Sequence, residues 1–211
     1  MFVLPSISLL PASQKRKEQM ANIFFTSDTH FFHTNIIKYC NRPFENAEEM
    51  NEVIIRNWNS VVNYNDVVYH LGDFILGITD KVKVAKSMRE RLNGDIHFIM
   101  GNHDPKAWRT NPEDRPRFLS LKDYDEITVD GQPIVLFHYG MRTWHHDLRG
   151  TWQLYGHSHG GLPPYGKSMD VGVDSNNFTP IAFEDLKVMM DKLEVGDHPK
   201  FAEYDPQKIG A

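Results

Sequence analysis

Carboxylates and imidazoles recur at the ends of apolar stretches in this chain of 211 residues. "NIFFTSDTH" ends in Asp28 and His30, "VVYHLGD" in Asp73, "IHFIMGN" in Asn102, "IVLFH" in His138, and "LYGHSH" in His157 and His159. Placing such a group at the mouth of a buried strand is costly unless it meets solvent, an ion pair or a metal ion. Taken singly, each reads as a polar strand end facing water. As an ordered set they offer the mixture of oxygen and imidazole nitrogen that transition-metal ions accept. The seven groups are too many for one ion with an open position but suit two ions sharing a carboxylate. Such a pair can activate water for hydrolysis.

These groups need short strands to carry them. The segments 23–26, 66–70, 96–100 and 134–138 are rich in β-branched and aromatic residues and lack alternation, as expected of strands covered on both faces. "NAEEMNEVIIRNWNSVV" predicts a helix: Asn46 and Glu49 have capping-box spacing, and Met50, Val53, Ile54, Trp58 and Val61 form an apolar stripe. A second helix is expected over 80–92, with Val82, Ala85 and Leu92 inward and its lysines and arginines solvated. "VDGQP" is a hairpin signal, because Asp-Gly accepts the positive φ angles of a tight turn. A last helix is expected over 183–192. The first half alternates strand and helix while the second favours hairpins, so the class is α/β with more than one sheet. Ligands in such sheets gather beyond the carboxyl ends of strands, where distant parts of the sequence converge.

Composition narrows the function. The length suits one domain with a substantial core. A net charge of −5 argues against a protein that works mainly by gripping nucleic-acid backbone through a broad basic face. The single cysteine, Cys40, excludes an internal disulfide and points to a reducing, cytoplasmic compartment. No apolar run approaches the roughly 20 residues of a membrane span. In "MFVLPSISLLPASQKRKEQM" the apolar part precedes the positive charge, the reverse of a secretory signal. Residues 1–19 are therefore expected as an N-terminal extension, 20–194 as the domain and 195–211 as a polar tail; Met20 offers an internal start.

The pieces "SDTH", "LGDF", "GNHD", "FHYG" and "YGHSH", in that order, resemble the calcineurin-like metallophosphoesterase superfamily. "CNRPFENAEEMN", "NWN" and "VGVDSNNFTPI" resemble a small capless subgroup of bacteria and their phages. The resemblance implies a two-sheet sandwich flanked by helices and a binuclear metal centre. Asp28, His30 and His159 would hold the first ion, Asn102, His138 and His157 the second, and Asp73 would bridge them. His103 would lie beside the ions and contact phosphate and leaving group. The ions would be divalent transition metals, Mn first, with Fe, Zn or Ni as alternatives.

One departure stands out. Many relatives follow the Gly-Asp pair with an acid or an arginine that supports phosphate binding, whereas here Phe74, Ile75 and Leu76 follow. Arg42 in "NRPF" and Arg142 in "GMRTW" are candidates to hold the phosphate instead. The implied activity is hydrolysis of a phosphomonoester or phosphodiester of a small molecule or nucleotide. A nuclease acting on DNA or RNA is the alternative that the acidic balance disfavours. A catalytically idle metal-binding interaction protein is disfavoured by retention of His103 beside the ligand set. His33 reads as a helix-start or supporting residue. His70, His97, His145, His146 and His198 read as ordinary strand, loop or tail histidines, with His145 and His146 near enough in sequence to line the pocket. Asp104 is expected to anchor its loop, and Trp144 and Trp152 to pack.

Overall fold

The computed structural model describes residues 21–197, so the expected extension, His198 and most of the expected tail lie outside the described residues. The first sheet is built on β1 (Ile23–Thr26), β2 (Val67–His70), β3 (Asp95–Ile99) and β4 (Ser120–Lys122), all parallel to their neighbours. Thr26 lies opposite His70 and His70 opposite Phe98, so the three central strands end level with one another. The second sheet contains β5 (Tyr124–Val129), β6 (Gln132–Phe137), β7 (Trp152–Tyr155) and β8 (Ser168–Asp170), in that order. A short strand, β9 (Ile181–Ala182), returns to the first sheet and pairs antiparallel with β1.

The helices are α1 (Thr34–Tyr39), α2 (Ala47–Val61), α3 (Lys81–Glu90), α4 (Ala107–Thr110) and α5 (Phe183–Met190). Side-chain alternation in β1 explains how the layers stack. Phe24 packs with Ile54, Trp58, Ala85, Phe98 and Trp108 on the helix-covered face, whereas Phe25 packs with Ile134, Leu136, Leu154 and Leu186 between the sheets. Both faces of the first sheet are thus covered, which accounts for its unbroken apolar strands. The architecture is a two-sheet α/β sandwich flanked by helices.

Four sequence expectations need correction. The second half contains one described hairpin, at Asp130 (φ 47°) and Gly131 (φ 82°), and thereafter β6, β7 and β8 run parallel. Antiparallel pairing would have sent the residues after β6 and β7 to opposite edges; parallel pairing delivers His138 and His157 to the same one. In α2, Met50, Ile54 and Trp58 are buried as expected, but Val53 is half-buried and Val61 exposed at the helix end, while Asn51 and Ile55 are also buried, the Asn51 side chain accepting a hydrogen bond from the Phe32 N–H at 3.0 Å. Asn46 caps α2 by accepting from the Glu49 N–H, but the Glu49 carboxylate accepts from Glu45 N–H, one residue before the cap. In α3, Ala85 and Leu92 are buried as expected and Val82 is half-buried, yet Arg89 is buried rather than solvated, its guanidinium donating to the carbonyls of Leu92, Gly94 and Arg117.

Candidate metal centre

The candidate groups gather where the central strands of both sheets end. Asp28, His30 and His159 form one cluster with ligand atoms within 4.8 Å of one another, and Asp73, His138 and His157 form a second by the same measure. The two meet at Asp73, whose Oδ2 lies 3.6 Å from His30 Nε2 and 3.5 Å from His138 Nε2. Asn102 joins the second cluster, its Oδ1 3.0 Å from His138 Nε2. Each cluster combines residues that follow first-sheet strands with residues that follow β6 or β7, so the centre straddles the seam between the sheets.

The strand ends turn sharply to bring these side chains together. Asp28 (φ 57°), His30 (48°), Asp73 (56°), His157 (65°) and His159 (48°) all occupy the left-handed region. Asp and His enter it more readily than other residues, but such conformations still cost about 1–3 kcal/mol each and persist only where the surroundings impose them. Backbone bonds supply that restraint, with Asp28 N–H donating to Gly72 C=O and His30 N–H to Asp73 C=O. The motif glycines permit the close approach. A Cβ at Gly101 would lie 2.2 Å from Asp73 Oδ1, and one at Gly156 would lie 2.4 Å from Asp28 Oδ2.

A surrounding layer of hydrogen bonds orients the groups. His138 donates from Nδ1 to Leu71 C=O at 2.7 Å, which turns Nε2 toward Asp73 and Asn102. His159 Nδ1 is paired at 2.6 Å with Asp174 Oδ2, freeing Nε2 to face Asp28 and His30. Asp28 Oδ2 accepts from Ser27 Oγ and His157 N–H, and the Asp104 carboxylate accepts from the N–H groups of Asp73, Phe74 and Gly101. Asp104 therefore anchors the loop, as its sequence context suggests.

Arg42 has a different place from the one its sequence suggests. It is buried, and its five N–H groups meet Asp174 Oδ1 and Oδ2, Asp28 C=O, Thr29 C=O and Met50 Sδ. No donor is left for a phosphate. Arg42 instead holds Asp174, which holds His159. Asp174 is the supporting residue that sequence reasoning missed. It lies in the quoted "VGVDSNNFTPI", but its link to the centre depends on the pairing of Ser27 with Gly172 across the sheets.

The remaining candidates separate by position. His103 is exposed, its N–H donates to Asp73 Oδ1 at 2.9 Å, and its ring lies 5.6 Å from that of His30. Arg142 is exposed on the loop after β6, lining a cavity with Tyr155, Leu162 and Tyr165. His33 begins α1, its ring 5.4 Å from His30. His70 is a satisfied core residue between Thr29 and Gly72 N–H, and burial pushes its pKa down to about 3. His97 pairs with Ser120, while His145 and His146 line a separate cavity with Glu126 and Thr128 that includes none of the clustered groups. Trp144 and Trp152 are buried packing residues.

The buried polar atoms test whether these residues fit a metal. Asp28 Oδ1 and both ring nitrogens of His30 are buried with no hydrogen-bond partner. Orphans of this kind are uncommon and costly, and a bound cation would satisfy the acceptors together. A third grouping, Cys40 with His159 and Asp174, fits less well. Burial lifts the Cys40 thiol to about 11, and Asp174 is already engaged by Arg42 and His159.

Without a cation, protons take its place. Burial lifts the Asp28 carboxyl to about 7. Burial opposes a charged His138, but Asp73 and Asp28 outweigh it and raise the imidazole to about 9. Burial also opposes a charged Asp73, yet His138 and His30 hold its carboxyl below the ordinary range. At pH 7 the metal-free centre therefore carries a proton on His138 and a partly protonated Asp28. Metal loading should release on the order of one to two protons, and apparent affinity should climb as pH rises toward 9. Calorimetric titration in buffers of different ionisation enthalpy measures the release; none at pH 7 would contradict this picture.

A sandwich with this cluster at its strand ends is the framework of a metal-dependent phosphoric ester hydrolase, and the sequence profile that matches residues 21–162 is that of the calcineurin-like phosphoesterase superfamily domain. The chain belongs to that superfamily. It is 38% identical over 183 residues to an uncharacterized protein of Methanocaldococcus jannaschii, covering 83% of this chain and 95% of that one. It is 34% identical over 85 residues to the Gene 66 protein of Mycobacterium phage L5, covering 40% of this chain and 41% of that one. Among solved structures, a protein of unknown function from Aquifex aeolicus is similar with a TM-score of 0.62 and 25% identity, covering 80% of this chain and 99% of that one. Membership of the family implies divalent metal ions. Among the described residues no helix is long and apolar enough to cross a membrane.

Proposed function

We propose that this chain hydrolyses a phosphoester of a small molecule or nucleotide at a centre of two divalent transition-metal ions, with Mn the foremost candidate. The observation that carries this reading is the meeting of two ligand clusters at one carboxylate oxygen of Asp73. Asp28, His30 and His159 would hold one ion, Asn102, His138 and His157 the other, and Asp73 both. When bound, two such ions lower the pKa of water and draw charge from phosphate oxygens.

The chain's own residues supply the rest. Asp104 keeps the Asp73 turn and the Gly101 loop in register. His103 is tethered through its backbone to Asp73, while its ring remains free to give a proton to the departing oxygen. A long nucleic-acid polymer would gain little extra binding from an acidic protein.

Purified protein, stripped of metal and reloaded with Mn, tests the assignment. It should hydrolyse a generic aryl phosphodiester, lose that activity on chelation and regain it on adding Mn. Screening cyclic nucleotides and nucleoside monophosphates would then define the substrate. Full activity in protein shown by elemental analysis to be metal-free would refute the metal role, and efficient processive degradation of long DNA at physiological salt would refute the substrate class.

A further inference from the structure

Phe74, Ile75 and Leu76 after Asp73 carry no charge, but Lys81 follows a few residues later. Phe74 is fully buried, and Ile75 pairs with Phe31, continuing as an apolar ribbon in which Leu76 N–H donates to Phe31 C=O at 3.1 Å. Gly77 (φ 86°) then lies so close to the loop after β1 that a Cβ would stand 2.5 Å from Phe32 O and 3.1 Å from His33 Cα. Asp80 caps α3 immediately afterwards, accepting from Lys83 N–H. The first residue of α3 is Lys81, and its ammonium donates to the C=O of His103 at 3.3 Å, while the His103 ring lies 5.6 Å from that of His30.

The ribbon thus sets Lys81 beside two histidines. His33 Nδ1 is buried without a partner, and no side-chain hydrogen bond engages the ring elsewhere among the described residues. A neutral imidazole still has one N–H to give. Arg42 is fully engaged within the fold, whereas Lys81 and His33 have donors to offer on the His103 side of the centre.

We propose that Lys81 and His33 hold the terminal oxygen that a phosphomonoester presents and a phosphodiester lacks, Lys81 through its ammonium and His33 through a ring N–H. This rests on the phosphoesterase reading above and names the preferred class of its substrate: esters with a dianionic terminal phosphate. A monoester has a third non-bridging oxygen and a second negative charge, and the cationic corner gives both a partner. Diesters still turn over, without that added hold.

Orthophosphate is the probe, because it carries the terminal oxygens and its binding is read without turnover. Calorimetry on metal-loaded protein should show Lys81→Met weakening orthophosphate roughly 10–100-fold, the scale of a charge-assisted hydrogen bond. Lys81→Arg should restore most of it. His33→Phe, which keeps a ring but removes the donor, should weaken it roughly 2–10-fold. In kinetics, Lys81→Met should reduce kcat/KM for an aryl phosphomonoester several-fold more than for the matching diester, with metal content unchanged. Unchanged orthophosphate affinity, or equal losses on the two esters, would overturn the proposal. If the parent hydrolyses no ester, the broader reading fails, while the orthophosphate comparison still decides the role of Lys81 and His33.

Discussion

Replacing Asp73 with Asn is expected to reduce kcat/KM on the order of 10³-fold or more, a greater loss than that from changing a residue of one cluster alone. Asn has nearly the shape of Asp, so it fits beneath the Gly101 backbone, which approaches the carboxylate too closely to admit even a Cβ. What changes is charge. Asp73 Oδ2 lies between His30 and His138, and Oδ1 is fixed by His103 N–H, so one residue faces both clusters and tethers the loop bearing the proposed acid. Removing its charge would weaken the hold on both proposed ions, and several kcal/mol of transition-state stabilisation corresponds to that fall in rate. His30→Ala should impair one ion and cost less. Elemental analysis and kinetics should be run together, with a thermal melt of each metal-free variant to establish folding. Equal metal content and equal rate in Asp73→Asn and the parent would remove Asp73 from the bridging role.

His103→Ala should show a different pattern: metals retained, with a rate loss that depends on the leaving group. Its ring is exposed near His30, and what ties it to the centre is a backbone N–H that alanine keeps. An alkoxide leaves poorly without a proton, so losing a general acid should slow such an ester on the order of 10²–10⁴-fold. An activated nitrophenolate departs unaided and should be slowed distinctly less. Measuring both rates and the metal content of the variant separates the possibilities. A uniform loss would assign His103 to phosphate binding, and loss of metal would make it structural support.

The features legible in the sequence were those determined within a few residues. The strand over 23–26, the Asn46 cap and the Asp-Gly hairpin follow from local spacing and turn chemistry, and the structure has each of them. The six clustered groups and Asn102 beside them were legible because each follows an apolar run, and parallel strands bring such ends to one edge. Arg42 was misread because its partner, Asp174, lies 132 residues away, and no local pattern shows which cation a distant carboxylate will engage. Arg89 looked solvated for a different reason: its partners are backbone carbonyls of Leu92, Gly94 and Arg117, and residue types do not record where a turn will point its carbonyls. The parallel course of β6, β7 and β8 depends on how connecting loops cross, which strand composition does not record.

Because the centre straddles the seam between the sheets, its ligands exist as a set only after the sandwich has closed. An ion that binds there recognises the folded chain and has no equivalent partner in the unfolded one. Mass action then makes the surrounding metal pool a determinant of how much of this protein is folded: each tenfold rise in free ion above its dissociation constant adds about 1.4 kcal/mol per site. A cell short of metal would hold fewer copies of the chain as well as less active ones, and a chelator would act on its lifetime as much as on its turnover.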